Sequence, residues 1–169
     1  MTTKTRNLEN PAIYVGTYKK YNNGSIQGAW FDLTKFDCLE DFIEACEELH
    51  NDEDDPELMY QDFENFPKEL YSESSISESL FDYINLNDSE REILDAYLNC
   101  IGGNIEEAMD KYEDAYYGTY ESFSDFCFEH FNDTTDIPAH LDSYIDYDRV
   151  ERDYYHDFSF EDGHVFFKN

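Results

Sequence analysis

The chain has 169 residues, 41 of them Asp or Glu against 11 Lys or Arg, for a formal net charge of -30. A surface of that sign repels phosphates, which argues against direct binding to nucleic acid or to an anionic membrane. Fifteen Tyr and fourteen Phe lift the aromatic share to 18 %, far above what a disordered acidic tail carries, so a packed core is expected.

Residues 1–10 are polar and read as a frayed end. "AIYVGTYKKYNNGSIQGAWFDL" predicts a β-hairpin. Ile13, Val15 and Thr17 alternate with Tyr14, Gly16 and Tyr18, Asn23-Gly24 offers a tight turn, and Ile26 to Leu33 returns. Leu39, Phe42, Ile43, Cys46 and Leu49 then recur at helical spacing, with Asp37 as the expected N-cap. "NDEDDPE" at 51–57 is a solvated acidic loop, and Tyr60 to Phe66 a short strand stopped by Pro67. Ser77 caps a short helix carrying Leu80, Phe81 and Ile84. Ser89 and Glu92 form a capping box for the next, which carries Ile93, Leu94, Tyr97 and Leu98 and stops at Gly102-Gly103.

Asn104 and Glu107 suit N-cap and N3 of a helix whose apolar stripe is Ile105, Ala108, Met109, Tyr112 and Tyr116, broken by Gly118. Ser122 starts another with Phe123, Phe126, Cys127 and His130 inward. Pro138 opens a short helix reaching Ile145, "DRVERDYY" adds a turn, and "FSFEDGHVFF" predicts a terminal hairpin around Asp162-Gly163. The fold class is α+β: a β-rich start with one helix over 1–66, a helical middle over 67–103, and a mixed end over 104–169. No internal repeat of fixed period stands out.

The chemistry-bearing residues form no recognisable catalytic motif. Cys38, Cys46, Cys100 and Cys127 are widely spaced, with no C-x-x-C, and read as reduced, half-buried thiols suited to a cytoplasm. "MTTKTRNLENP" has no apolar core of a signal peptide, and no run of 18 apolar residues exists, so no membrane role is expected. His50, His130, His140, His156 and His164 are scattered without an H-x-x-x-H pair. The 51–57 loop clusters oxygen ligands, yet an EF-hand register fails on Pro56 and Glu57. No metal or cofactor is expected.

Charge spacing is more informative. Glu40, Glu44 and Glu48 stand at i, i+4, i+8, and Glu106, Asp110 and Asp114 repeat that spacing. Each like-charge pair at i, i+4 costs a helix roughly 0.2–0.5 kcal/mol, so a chain shaped only by stability would put Lys at some of them. Four readings fit the composition: imitation of a polyanion, sequestration of basic proteins such as histone-like ones, adaptation to high salt, and an enzyme. For the first, duplex DNA carries one charge per about 1.7 Å, so the net charge matches roughly 15 base pairs.

Four blocks in order resemble the ArdA family of antirestriction proteins: "AIYVGTYKKYNNGSIQGAWFDL", "DPELMYQDFENFP", "LDAYLNCIGGNIEEAMDKYEDAYYGTYESFSDF" and "YIDYDRVERDYY". The resemblance runs over about residues 11–167. It implies an elongated protein of three small lobes that imitates bent B-form DNA and occupies the DNA-binding site of Type I restriction–modification enzymes, at their methyltransferase core. It also implies a homodimer held by the C-terminal lobe, around Glu106–Tyr117 and beyond, carriage by mobile elements, and no catalytic residue or cofactor. On the outward faces of the two acid-rich helices, the residues expected to stand in for phosphates are Glu40, Asp41, Glu44, Glu47, Glu48, Glu106, Asp110, Glu113 and Asp114.

Overall fold

The computed structural model describes residues 9–168, so most of the expected frayed end lies outside the described residues. Asn10, at its edge, is tethered: its Nδ2 donates to Asp32 at 2.9 Å and its carbonyl accepts from Asn65 at 2.9 Å. The fold is α+β, and the chain divides into two compact units, Met1–Leu86 and Asn87–Asn169, each built on a three-stranded antiparallel sheet. The stretch 67–103 contributes to both.

In the first unit the sheet order is β2-β1-β3, from β1 (Ala12–Thr17), β2 (Ala29–Asp32) and β3 (Leu58–Glu64). The central position of β1 explains why Ala12, Ile13, Val15 and Thr17 are all fully buried. Val15 pairs with Ala29 on one side and Tyr60 on the other, with a register shift between Tyr14 and Val15. The expected strands pair, but no tight turn joins them. Tyr18–Asn22 is a helix, α1, capped by Thr17, whose Oγ1 accepts from the Lys20 amide at 3.2 Å. Gly24 takes φ +81° as the residue that ends this helix. The Gly24 amide donates to the Tyr21 carbonyl at 2.9 Å and the Ser25 amide to Lys20 at 2.9 Å, a full Schellman motif.

Helix α2 (Leu39–Leu49) packs on this sheet, and its N-cap is Cys38 rather than Asp37, with no side-chain cap bond. Phe42 is the hub of the core. Its ring lies 5.6 Å from Phe31, 5.5 Å from Phe36, 6.3 Å from Tyr60 and 6.1 Å from Phe81. The Phe31 and Phe36 pairs are edge-on, the Tyr60 pair stacked and the Phe81 pair tilted, and aromatic pairs are worth about 0.5–1.5 kcal/mol beyond the area they bury. Phe81 belongs to α3 (Ser79–Asn85), whose N-cap is Glu78 rather than the expected Ser77, with no side-chain cap bond; Ser77 Oγ instead accepts from the Ser79 amide at 3.2 Å, one residue ahead of the cap.

The second unit opens with α4 (Asp88–Cys100). Its capping box lies two residues before the expected one. Asn87 Oδ1 accepts from the Glu90 amide at 2.9 Å while Glu90 accepts from the Asn87 amide at 2.7 Å. Asn is as good a cap as Ser, so the overlapping N-x-x-E pattern competes on equal terms. Helix α5 (Ile105–Ala115) starts at Asn104 as expected, its Oδ1 accepting from Glu107 at 2.9 Å. It ends before Gly118, because Tyr116–Thr119 is a strand, β4, and Tyr116 belongs to the sheet. Gly118 sits at the irregularity where β4 meets its neighbour.

Helix α6 (Phe123–Thr134) is capped by Ser122, a 3-10 turn covers Ala139–Tyr144, and α7 (Tyr147–Tyr154) follows. The terminal hairpin forms as expected from β5 (Phe158–Glu161) and β6 (His164–Phe167), and the sheet order is β4-β6-β5. Asp162 at φ +48° and Gly163 at φ +86° supply the two left-handed residues a tight hairpin turn needs. Phe126 is the second hub, with ring centroids at 4.9 Å to Phe158, 5.0 Å to Tyr120 and 5.2 Å to Tyr117.

Candidate functional site

The acid-rich faces are those of α2 and α5, and all nine expected acids are exposed. Aligned end to end, LEDFIEACEEL and IEEAMDKYEDA carry acid at the same five positions. The five are Glu40, Asp41, Glu44, Glu47 and Glu48 on α2, and Glu106, Glu107, Asp110, Glu113 and Asp114 on α5. Glu107, exposed and missing from the expected set, is the counterpart of Asp41. The matched spacing of the two helices was the signal that could have found it.

At 3.6 residues per turn this spacing puts four carboxylates at the corners of one helix face and the fifth, Glu44 or Asp110, in the centre. Five charges lie along about 12 Å of axis, one per about 2.4 Å, close to the duplex value of about 1.7 Å. The first-turn acids, Glu40 and Asp41 or Glu106 and Glu107, favour the positive end of the helix dipole. The last-turn acids oppose it, and none of the five helices α2 to α6 has a base in its last turn. Each unfavourable terminal charge costs about 0.3–1 kcal/mol at low salt, so these faces cost the fold stability.

The 51–57 loop is more ordered than a solvated loop. Glu53 is buried and accepts from Thr17 Oγ1 at 2.7 Å, while Lys20 Nζ reaches Asp52 at 2.7 Å, Glu53 at 3.6 Å and His50 Nδ1 at 2.8 Å. His50 Nε2 lies 3.2 Å from the Val15 carbonyl, so it donates there while Nδ1 accepts from the ammonium. The Lys20 hydrogen bond holds the Asp52 carboxyl below its usual range. A lysine ammonium thus sits among the carboxylate oxygens of this loop. Among the described residues, no three His, Cys, Asp or Glu side chains are placed to share a metal ion.

The second unit holds a concavity of about 540 Å³ where α5 ends. Tyr117, His130, Tyr154 and Phe158 are among its rings, with Tyr116 and Phe167, and Asp114 and Asp157 also line it. His130 Nδ1 and Tyr154 Oη share a 2.8 Å hydrogen bond. Burial raises the Tyr154 phenol above its ordinary pKa, which keeps it protonated. Of the expected site residues only Asp114 belongs to this concavity.

The thiols divide by depth. Cys38 is exposed, contrary to its half-buried expectation, Cys100 is intermediate, and Cys46 and Cys127 are buried. Burial pushes the Cys46 and Cys127 thiols up to about 12. No helix among the described residues is long and apolar enough to cross a membrane.

No curated protein matches the chain. The family model described as Antirestriction protein (ArdA) matches residues 13–166. Since that match spans nearly all of the 169 residues, the chain belongs to the ArdA family of antirestriction proteins, inhibitors directed against Type I restriction enzymes.

Proposed function

We propose that this protein imitates the charge of B-form DNA and competes with DNA for the methyltransferase core of a Type I restriction–modification enzyme. It protects incoming mobile DNA in the cytoplasm, acts as a homodimer, and uses no catalytic residue or cofactor. The observation that carries this reading is the matched five-acid face of α2 and α5, kept at a cost to helix stability. Carboxylates on a rigid aromatic core take the place of phosphates, and the enzyme's Lys and Arg supply the attraction. Binding then weakens steeply with salt and distributes over many acids.

The test is displacement of a labelled target duplex from the purified methyltransferase core at low salt. Displacement that fades as salt rises is expected. An unchanged duplex complex at large molar excess of the protein overturns the reading. Equal affinity for an unrelated basic protein, such as a histone-like one, would instead assign the acids to unspecific sequestration.

A further inference from the structure

We infer that the concavity at the end of α5 is a binding site for a guanidinium group, the side chain of an arginine on the partner protein. Three independent features of one place favour a planar cation. The first is a set of aromatic faces. Tyr117 is 48 % exposed, and its ring is held edge-on by Phe126 at 5.2 Å, His130 at 5.3 Å and Phe158 at 5.8 Å. Those contacts fix the ring while part of it stays open to a ligand. A cation within about 6 Å of such a ring is attracted by its quadrupole, and arginine stacks there better than lysine.

The second feature is charge. Asp114 and Asp157 line the concavity, and none of the residues lining it is Lys or Arg. The third is the helix itself. Asp114 and Ala115 are the last residues of the eleven-residue α5, so the negative end of its dipole faces the same space. The outer faces of α2 and α5 attract any cation by charge alone. This site adds shape, because its rings select a flat group over a spherical one.

That the arginine belongs to the restriction enzyme rests on the function proposed above. The site itself is tested without that enzyme. N-acetyl-arginine amide and its uncharged isostere N-acetyl-citrulline amide are titrated into the full chain at 0.3 M salt, where the Debye length falls below about 8 Å. Amide chemical shifts are read by NMR. Saturable shifts confined to the end of α5 and the lining parts of β4, α6, α7, β5 and β6 with arginine, and none with citrulline, are expected. Tyr117→Ala weakens that binding about 3- to 10-fold, while Tyr117→Phe retains it. Asp157→Asn, at an exposed position, weakens it independently should Tyr117→Ala disturb the fold.

Equal shifts with both probes, shifts spread over every acidic face, or wild-type binding by Tyr117→Ala overturn the site. Shifts that appear only on dilution overturn it too, since they would give the concavity to a second copy of the chain. In the duplex-displacement assay, Tyr117→Ala, with its charge unchanged, needs about 3- to 10-fold more protein than wild type. Arginine binding without any displacement by wild type sinks the DNA-imitation reading alone. Displacement that Tyr117→Ala leaves intact, without selective arginine shifts, sinks this inference alone.

Discussion

Helices α2 and α5 present the same outer face over different inner ones. On α2 the buried residues are Phe42 and Cys46, and Phe42 touches four other rings. On α5 they are Ile105, Ala108, Tyr112 and Ala115, so the large hub position of one helix is alanine in the other. The acids keep their spacing while the packing beneath them changes. Core packing therefore does not dictate the acid pattern, and helix stability opposes it, which leaves the outer face to be explained by what it meets. The two faces differ in one charge. Lys111 stands four residues after Glu107, whereas the matching position on α2 is Ala45.

The strongest way to break this equivalence is to neutralise all ten acids to Asn or Gln. Duplex displacement is expected to fall by roughly 10³-fold and its salt dependence to flatten, as it does when phosphate-like contacts are removed. Five changes on either helix alone should each give a comparable part of that loss. A loss confined to one helix would end the equivalence.

The next effect belongs to the first unit. Lys20→Met leaves Glu53 buried beside an apolar chain. Side-chain exposures of 11 % for Lys20 and 6 % for Glu53 put a buried carboxylate against a largely covered ammonium, so a loss of about 3 kcal/mol is expected in urea unfolding. A melting curve that does not move would show that the network is not part of the fold's stability.

Single neutralisations at the centre of each face should act in the opposite direction. Glu44 has acids at 40, 41, 47 and 48, and Asp110 has them at 106, 107, 113 and 114. Glu44→Gln relieves four like-charge contacts and should stabilise the fold by about 1 kcal/mol at low salt. Asp110→Asn should gain less, because Lys111 already offsets part of the repulsion. Both gains should vanish near 1 M salt, where the Debye length is about 3 Å. Gains that survive that salt would refute the electrostatic account.

The smallest effect concerns pH. Burial holds the Cys46 and Cys127 thiols and the Tyr112 phenol up to about 12. Their unfolded values are about 8.5 for thiols and about 10 for a phenol. Between those values and the raised ones the folded chain holds more protons than the unfolded chain. Stability from these groups is complete below pH about 8.5 and declines as pH rises. At pH 8 the exposed Cys38 should react with a thiol reagent well before Cys46 or Cys127. Equal rates for all three would contradict the burial. On the acid side, Asp52, held low by Lys20, contributes above pH about 4 and loses that contribution below it.

Two Gly-containing turns show where local sequence suffices. Asp162-Gly163 forms the hairpin turn its sequence predicts, since Phe158–Glu161 and His164–Phe167 pair directly across it. Asn23-Gly24 carries the same signal but ends a helix. The positive φ at Gly24 serves a Schellman motif as well as a turn, and the helix it ends carries Lys20. In helix α1 it is placed to reach His50, Asp52 and Glu53, thirty and more residues away. No local pattern encodes that contact. The displaced capping box has a simpler origin, two overlapping patterns of nearly equal strength at Asn87 and Ser89.

Of the ten matched acids, nine are legible from outward helical spacing alone, whereas Glu107 stands out only when the two helices are aligned with each other. The concavity was not legible at all. Asp114, His130 and Asp157 are far apart in the chain and meet only where β4, α6 and the start of β5 converge. Sequence by itself determined the sign and spacing of the charge, the apolar stripes, and the turn at Asp162-Gly163, all properties of residues within one or two helical turns of each other. Tertiary structure alone decided the burial of Lys20 and Glu53, the conversion of Tyr116–Thr119 into a strand, and the aromatic cage around Tyr117. Each of these depends on desolvation and pairing between segments far apart in the chain, and those energies exist only once the segments meet.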